Sequence, residues 1–373
     1  MADAIPIYKG EDFYVPYYEV KVQGRSLDRL VIHDIIQVTY KDNIDEIDSF
    51  EISINNWDAE NRRLKFSDSD LFNPGREVEL QMGYFGRNRL RRILTGEITS
   101  LQPSFPAGGQ PTLTIGGLNV LHRLRQAQRS QAYENKTDSE IAREIGGRLG
   151  VEVITDPTAA ILEERYPYIF QDNKYDIIFL MGRARQCGYE LLVRELELGG
   201  SNLGVLYFGP SFGIKRSTYR LTYGRSLIEF QPTLTTVNQV NEVVVRGWDN
   251  INKVKIEGTA TRAQITTRGV GDRGGQQAIE QSFKQRKEVI ANKPVNSQKE
   301  AETLARETLE HIAKEMVNAS GSTVGLPDLR AGCMVEIDGV GERFSGRYFI
   351  KSTTHTIGDG GYTTQFECRR EET

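Results

Sequence analysis

Histidine, cysteine and tryptophan are scarce in this chain of 373 residues, which holds four, three and two of them. Cys187, Cys333 and Cys368 lie far apart with no C-x-x-C spacing, so neither a disulfide framework nor a zinc site is supported. That usage suits a reducing cytosol. No stretch approaches the roughly 18 consecutive apolar residues of a membrane span, and the opening MADAIPIYKGED lacks a basic region followed by an apolar one. An extracellular role would therefore need release of a particle assembled in the cytoplasm. Charge of one sign is also missing: Lys+Arg 47 against Asp+Glu 51 gives −4, with the signs interspersed. This leaves no strongly basic face for nucleic acid.

What is present is enough to fold. Hydrophobic residues make up 38% of the chain, with Tyr 16 and Phe 15, which excludes disorder. The length exceeds the roughly 250 to 300 residues at which single cores stop growing, so two or three packed units are expected.

After an N-terminal arm (1–14), residues 15–125 read as an all-β module. Glu51 to Ile54, Val78 to Met82 and Gly96 to Thr99 alternate polar and apolar side chains, and strands are also expected over Tyr17 to Val22, Val31 to Tyr40 and Thr112 to Gly116. Residues 126–225 change texture. Thr137-Asp138-Ser139-Glu140 is a capping box before Ile141, Ile145 and Leu149 at helical spacing, and a second helix runs from about Tyr175 to Cys187 with Gly188 as its stop. From 226 to 373 strands return, interrupted by a Gly-rich loop at 266–277 and an amphipathic helix at 297–317. The fold class is thus mainly β with α+β insertions.

The two β regions echo one another. Glu51 to Asp58 aligns without a gap on Glu242 to Asp249, and the two segments hold the chain's two tryptophans. Gly75 to Leu80 matches Gly332 to Ile337, Thr95 to Ser100 resembles Ser345 to Ile350, and Gly108 to Ile115 parallels Gly360 to Glu367. Each match alone is a generic turn and strand; their common order argues for two copies of one module. An oligomer of n such chains presents 2n similar modules, so a trimer would offer a pseudo-sixfold ring and act as a symmetry adaptor.

Sites for chemistry are few. His33, His122, His311 and His355 are scattered, and a structural or solvated role is the ordinary reading of each. Asp68-Ser69-Asp70 and Asp172-Asn173 lack the glycine and closing glutamate of a calcium loop and read as turns or caps. Gly269 to Gly275 is followed by no Lys-Ser/Thr, so it is not a phosphate loop. No catalytic, cofactor-binding or metal-binding residue is assigned. The densest basic patch, Arg87, Arg89, Arg91 and Arg92, resembles a hairpin tip, either merely solvated or facing an acidic partner or a charged lumen.

Several segments in one order carry a family resemblance: Gly116 to Leu124, Tyr133 to Ile141, Tyr175 to Leu180, Cys187 to Glu190, Val240 to Val243 with Arg246 to Asp249, and Leu326 to Gly332. Together they resemble the phage late control D family of baseplate hubs, which includes the first part of the valine-glycine repeat spike proteins of type VI secretion. The resemblance covers about residues 15 to 370. It implies two tail-tube-like β-barrel modules flanking a smaller mixed α+β domain, assembled as a homotrimer that joins a hexameric inner tube protein to a spike among other baseplate components. In those spike proteins a further domain and a needle follow the hub; here the second module ends the sequence, so a separate spike protein is expected. Phage tail, type VI-like machine and extracellular injector stay open. Two rivals stand beside this reading. A particle-borne cell-wall hydrolase would need paired carboxylates or a nucleophile, and a carbohydrate-binding β protein would cluster aromatics, of which Tyr14, Tyr17 and Tyr18 are a weak hint.

Overall fold

The structure, a computed structural model, describes residues 5–7, 13, 15–86, 90–119, 122, 125, 127–163, 165–194, 205–210, 219–249, 252–264, 286–291, 295 and 297–371. The Gly-rich loop read at 266–277 lies outside them.

The first part is almost all strand: β1 (Ile5–Pro6), β2 (Pro16–Val22), β3 (Arg25–Ser26), β4 (Ile35–Asn43), β5 (Ser49–Asn55), β6 (Trp57–Asp58), β7 (Arg63–Leu64), β8 (Glu77–Tyr84), β9 (Arg91–Ser104) and β10 (Thr112–Asn119). Alternation decides which face is inward. Val78, Leu80 and Met82 of β8 are buried with Ile52 and Ile54 of β5 and Leu113 and Ile115 of β10 in one core. The strand expected from Val31 begins only at Ile35. Arg29–Asp34 instead form a short helix α1, wound by the Ile32 amide on the Asp28 carbonyl at 3.0 Å. That winding sets Val31, Ile32 and Ile35 against the same core, which is why they read as strand residues.

The middle part pairs β11 (Gln128–Lys136) with β13 (Tyr166–Tyr175), which is reached through α2 (Asp138–Leu149), β12 (Val153–Thr155) and α3 (Pro157–Leu162). Helix α4 (Asp176–Cys187), β14 (Tyr189–Arg194) and β15 (Val205–Pro210) follow, and β12, β15 and β14 form a small mixed sheet. The capping box on α2 is complete: the Glu140 amide donates to Thr137 Oγ1 (3.3 Å) and the Thr137 amide to Glu140 Oε2 (3.1 Å). Gly150 and Gly188 end α2 and α4 at φ 73° and 66°, conformations that a side chain would strain.

The last part holds β16 (Tyr219–Thr222), β17 (Leu227–Leu234), β18 (Glu242–Asp249), β19 (Val254–Thr261), β20 (Lys287–Ile290), α5 (Gln298–Lys314), β21 (Val317–Val324), β22 (Met334–Asp338), β23 (Gly346–Gly358) and β24 (Gly361–Arg370). Helix α5 is shorter than the 297–317 expected, because its stripe divides between two cores. Ala301, Ala305, Leu309 and Ala313 pack on β18 and β19, whereas Met316 and Val317 enter the core under β21 to β24. The helix lies so close to β19 that a Cβ on Gly258 would stand 2.2 Å from the Ala301 carbonyl carbon.

One 14-stranded sheet contains two runs of five antiparallel neighbours. The first is β8-β9-β10-β5-β4 and the second is β22-β23-β24-β21-β17. They join where β4 pairs with the C-terminal half of β23, from Asn43 opposite Ser352 to Gln37 opposite Gly358. The sequence match of Glu51 to Asp58 with Glu242 to Asp249 does not carry over to sheet position. β5 lies in the large sheet, whereas β18 pairs β19 and β20 in a separate one, and the neighbour of β24 is β21. The match is real at the turns, however. Asp58 accepts from the Asn61 amide (3.0 Å) and side chain (2.8 Å), and Asp249 accepts from the Asn252 amide (3.0 Å) and side chain (2.7 Å).

Candidate assembly interface

The two runs are clamped by a buried polar cluster beneath the β4–β23 seam. Asp42, on β4, accepts from Arg330 Nε (2.6 Å), the Ala331 amide (3.0 Å) and the Thr353 amide (3.1 Å), and also from the Thr353 hydroxyl. Arg330 further donates to the Ile93 carbonyl (3.0 Å) and the Tyr40 hydroxyl, with its guanidinium 4.6 Å from the centre of the Tyr40 ring. Tyr40 passes its proton toward Asp48 at 3.0 Å. Burial works against charge on Arg330, but Tyr40, Asp42 and Asp48 outweigh it and hold the guanidinium more firmly protonated than usual. Burial would likewise raise Asp42; the Arg330 guanidinium and the Thr353 hydroxyl overcome it and hold the carboxyl below the usual range.

His355 sits at the centre, opposite Tyr40 and fully buried. Its Nε2 lies 3.0 Å from the Leu329 carbonyl, which can only accept, so Nε2 carries the proton. Nδ1 then accepts from the Tyr362 hydroxyl (3.0 Å) and lies 3.1 Å from Thr364 Oγ1. Burial pushes this imidazole down to about 4, against the pull of Asp42. A neutral, fully bonded histidine inside a core is a structural element, although His, Asp, Tyr and Thr together are the types a catalytic site uses.

The other candidates from the sequence disperse. His122 Nδ1 donates to the Asn119 carbonyl (2.9 Å), with Nε2 3.0 Å from Glu97. His311 lies on α5, where burial lowers its pKa. Ser69 caps the turn Asp70–Phe72, and Asp70 Oδ1 accepts from the Asn73 side chain (2.8 Å), in keeping with a turn rather than a metal site. Among the described residues no group of three or more His, Cys, Asp or Glu is placed to hold a metal, and no helix is long and apolar enough to cross a membrane. Arg91 and Arg92 begin β9, opposite Met82 and Gln81, and Arg91 meets Asp328 at 3.7 Å on the surface. Arg87 and Arg89 lie outside the described residues.

Among the described residues, the strand edges left open include one in each five-strand run. β17 pairs only β21. β9 pairs β8 only as far as Glu97, so Thr99 to Ser104 have β10 on one side and no strand on the other. Their surroundings are apolar: Phe105 is 62% exposed, Ile228 58% and Leu234 38%. The sequence held no signal for these edges, because which strand lacks a neighbour depends on the whole sheet.

A mainly β chain with large antiparallel sheets and a clamped seam defines a tail-protein-like fold. The 43 kDa tail protein of prophage MuSo2 from Shewanella oneidensis superposes with a TM-score of 0.70 at 13% identity, over 95% of this chain and 98% of that one. The tail protein from Neisseria meningitidis MC58 gives 0.66 at 13% identity, over 96% and 97%. An E. coli component of the type VI secretion system, described as structurally similar to the bacteriophage T4 tail proteins gp27 and gp5, gives 0.53 at 14% identity, over 94% and 76%. By sequence, no curated protein matches the chain. Residues 14–359 match the family described as Alg8 N-terminal domain, and the chain belongs to that family. The description names a domain and no reaction.

Proposed function

We propose that this chain is a structural baseplate hub of the kind the late control D family provides: a homotrimer whose six tube-like modules, residues 15–125 and 226–373 of each copy, join a sixfold inner tube to a threefold spike. The reading rests on the two five-strand runs, which repeat down to single hydrogen bonds. The Gly75 amide donates to the Ile98 carbonyl (2.8 Å) and the Ile98 amide to that of Arg76 (2.9 Å); the Gly332 amide donates to Ile350 (2.9 Å) and the Ile350 amide to Cys333 (2.9 Å). Both glycines have positive φ, 87° and 80°. A module present twice per chain lets a threefold assembly present six similar surfaces. The tail and type VI proteins of the same fold favour the same setting. On this reading the basic patch containing Arg91 and Arg92 is a surface for an acidic partner.

The test is native mass followed by end-on particle averaging. A closed trimer with six similar lobes that binds tube protein is expected. A persistent monomer at micromolar concentration, with no ring when tube and spike proteins are added, would refute the hub reading.

A further inference from the structure

Resting on the hub reading, we infer that the open edge of β17 pairs antiparallel with the open half of β9 in a second copy of this chain, Pro232 opposite Pro103. The argument starts from bulges. In β9 Thr99 is skipped between Ile98 and Ser100, and in β23 Lys351 is skipped between Ile350 and Ser352, so these residues correspond. Opposite them Gly117 corresponds to Cys368, and one strand further Phe50 corresponds to Ala319. Tyr40, opposite Phe50, then corresponds to Pro232, opposite Ala319. An independent feature checks this register. β4 skips Ile36 and β17 skips Ile228, each four residues before the pair just matched.

Within one chain β4 lies against β23, Tyr40 opposite His355. The same relation carried one module onward sets β17 against β9, and β9 belongs to a different copy. Leu234 then faces Leu101, Pro232 faces Pro103, and Phe230 faces Phe105. In the internal seam the corresponding side chains, Asp42 with Thr353, Tyr40 with His355 and Val38 with Ile357, are at most 4% exposed. All six residues at the open edges are apolar and all retain exposure, Leu234 38% and Phe105 62%.

The prolines agree with this register. The Ile44 amide donates to the Lys351 carbonyl across the seam (3.0 Å), so Asp42, Tyr40 and Val38 direct their amides the same way. The Thr235 amide points instead to Met316 (2.9 Å), inside its own sheet, so position 232 faces the open edge. Position 103 does too, by correspondence with His355. Proline has no amide to donate and belongs on an edge. Placing Pro232 opposite Pro103 confines both missing donors, and the two carbonyls left without one, to a single rung. A shift by two residues would set each proline against a residue whose carbonyl then lacks its donor, spreading the loss over two rungs.

The experiment uses the full chain carrying Thr233→Cys and Gln102→Cys. These residues correspond to Lys41 and Thr354, a non-hydrogen-bonded pair, whose Cα separation of about 4.5 Å suits a disulfide. Under mild oxidation a reducible covalent series ending at three chains is expected, and Thr233→Cys mixed with Gln102→Cys should stop at two. Thr233→Cys with Ser104→Cys, two residues out of register, and the unsubstituted chain with Cys187 should cross-link at least tenfold less. Native mass is measured on the same samples. A trimer that does not cross-link through 233 and 102, or that cross-links equally through 104, overturns the edge pairing and leaves the hub reading standing; a monomer overturns both. Leu234→Asp should abolish the trimer while leaving the urea midpoint of the isolated chain unchanged, since Leu234 is 38% exposed there.

Discussion

Replacing His355 by glutamine tests the buried seam directly. The folded protein takes up a proton on this imidazole only near pH 4, whereas the unfolded chain does so at about 6.5. Between those values the unfolded state binds more protons, so the contribution of the neutral histidine is complete above about pH 6.5 and is lost as pH falls toward 4. At 1.36 kcal/mol per pH unit, the interval amounts to roughly 3 kcal/mol. Glutamine can still donate to the Leu329 carbonyl and accept from Tyr362, but it does not titrate. Urea denaturation of both chains at intervals from pH 8 to pH 4.5 should therefore show a gap that is constant above pH 7 and narrows below 6.5. Acid-labile groups that do not act on His355 are common to both chains and cancel; Asp42, which does, is held below the usual carboxyl range and so contributes little across this interval. Parallel curves throughout, or an imidazole signal assigned to His355 that titrates near 6.5 in the folded protein, would refute the buried neutral histidine.

Three further outcomes follow from packing and charge. Arg330→Leu leaves Asp42 buried without its guanidinium and should cost about 3–5 kcal/mol by denaturant titration, while Asp42→Asn in the same chain should recover part of that loss. Burial pushes the Glu307 carboxyl up to about 7, so the cost of ionising it grows from the ordinary value near 4.5 and is complete above about 7. Glu307→Gln should then stabilise by about 1–3 kcal/mol at pH 8.5, by less as pH falls through that window, and by nothing measurable at pH 4, read from thermal midpoints. Gly258→Ala drives a methyl into the backbone of Ala301 and Glu302 and should cost about 1–3 kcal/mol, visible as earlier proteolysis between β19 and α5.

Local chemistry was legible in the sequence, and long-range placement was not. The Thr137 box and the stop at Gly188 depend on residues within a few positions of each other, and the structure forms each as read. Period-2 strands such as Val78 to Met82 were equally plain, because one face is buried. Val31 to Tyr40 misled because an apolar run serves a short helix and a strand alike. Met316 misled because it continues the helical stripe while belonging to another core. The match of Glu51 to Asp58 with Glu242 to Asp249, read as one module repeated, holds in the turns that follow but not in sheet position, which is set by distant pairing and leaves β18 outside the large sheet. Nothing in the sequence could bring Asp42 to Arg330, 288 residues away, or mark β17 and β9 as edges.

That separation has a consequence for synthesis. β4 emerges from the ribosome long before its neighbour β23: Asp42 and Thr353 are 311 residues apart, and at about 5–20 residues per second the interval is roughly 16–62 s. Throughout that time the nascent chain carries a strand edge ready to accept the wrong partner. Lys41 and Asp42 put charge on it, and Asp42 is later neutralised by Arg330 when the final third of the chain arrives. The residue that clamps the finished seam thus also places a charge on the unfinished one, which disfavours pairing with a wrong strand until the C-terminal strands are made.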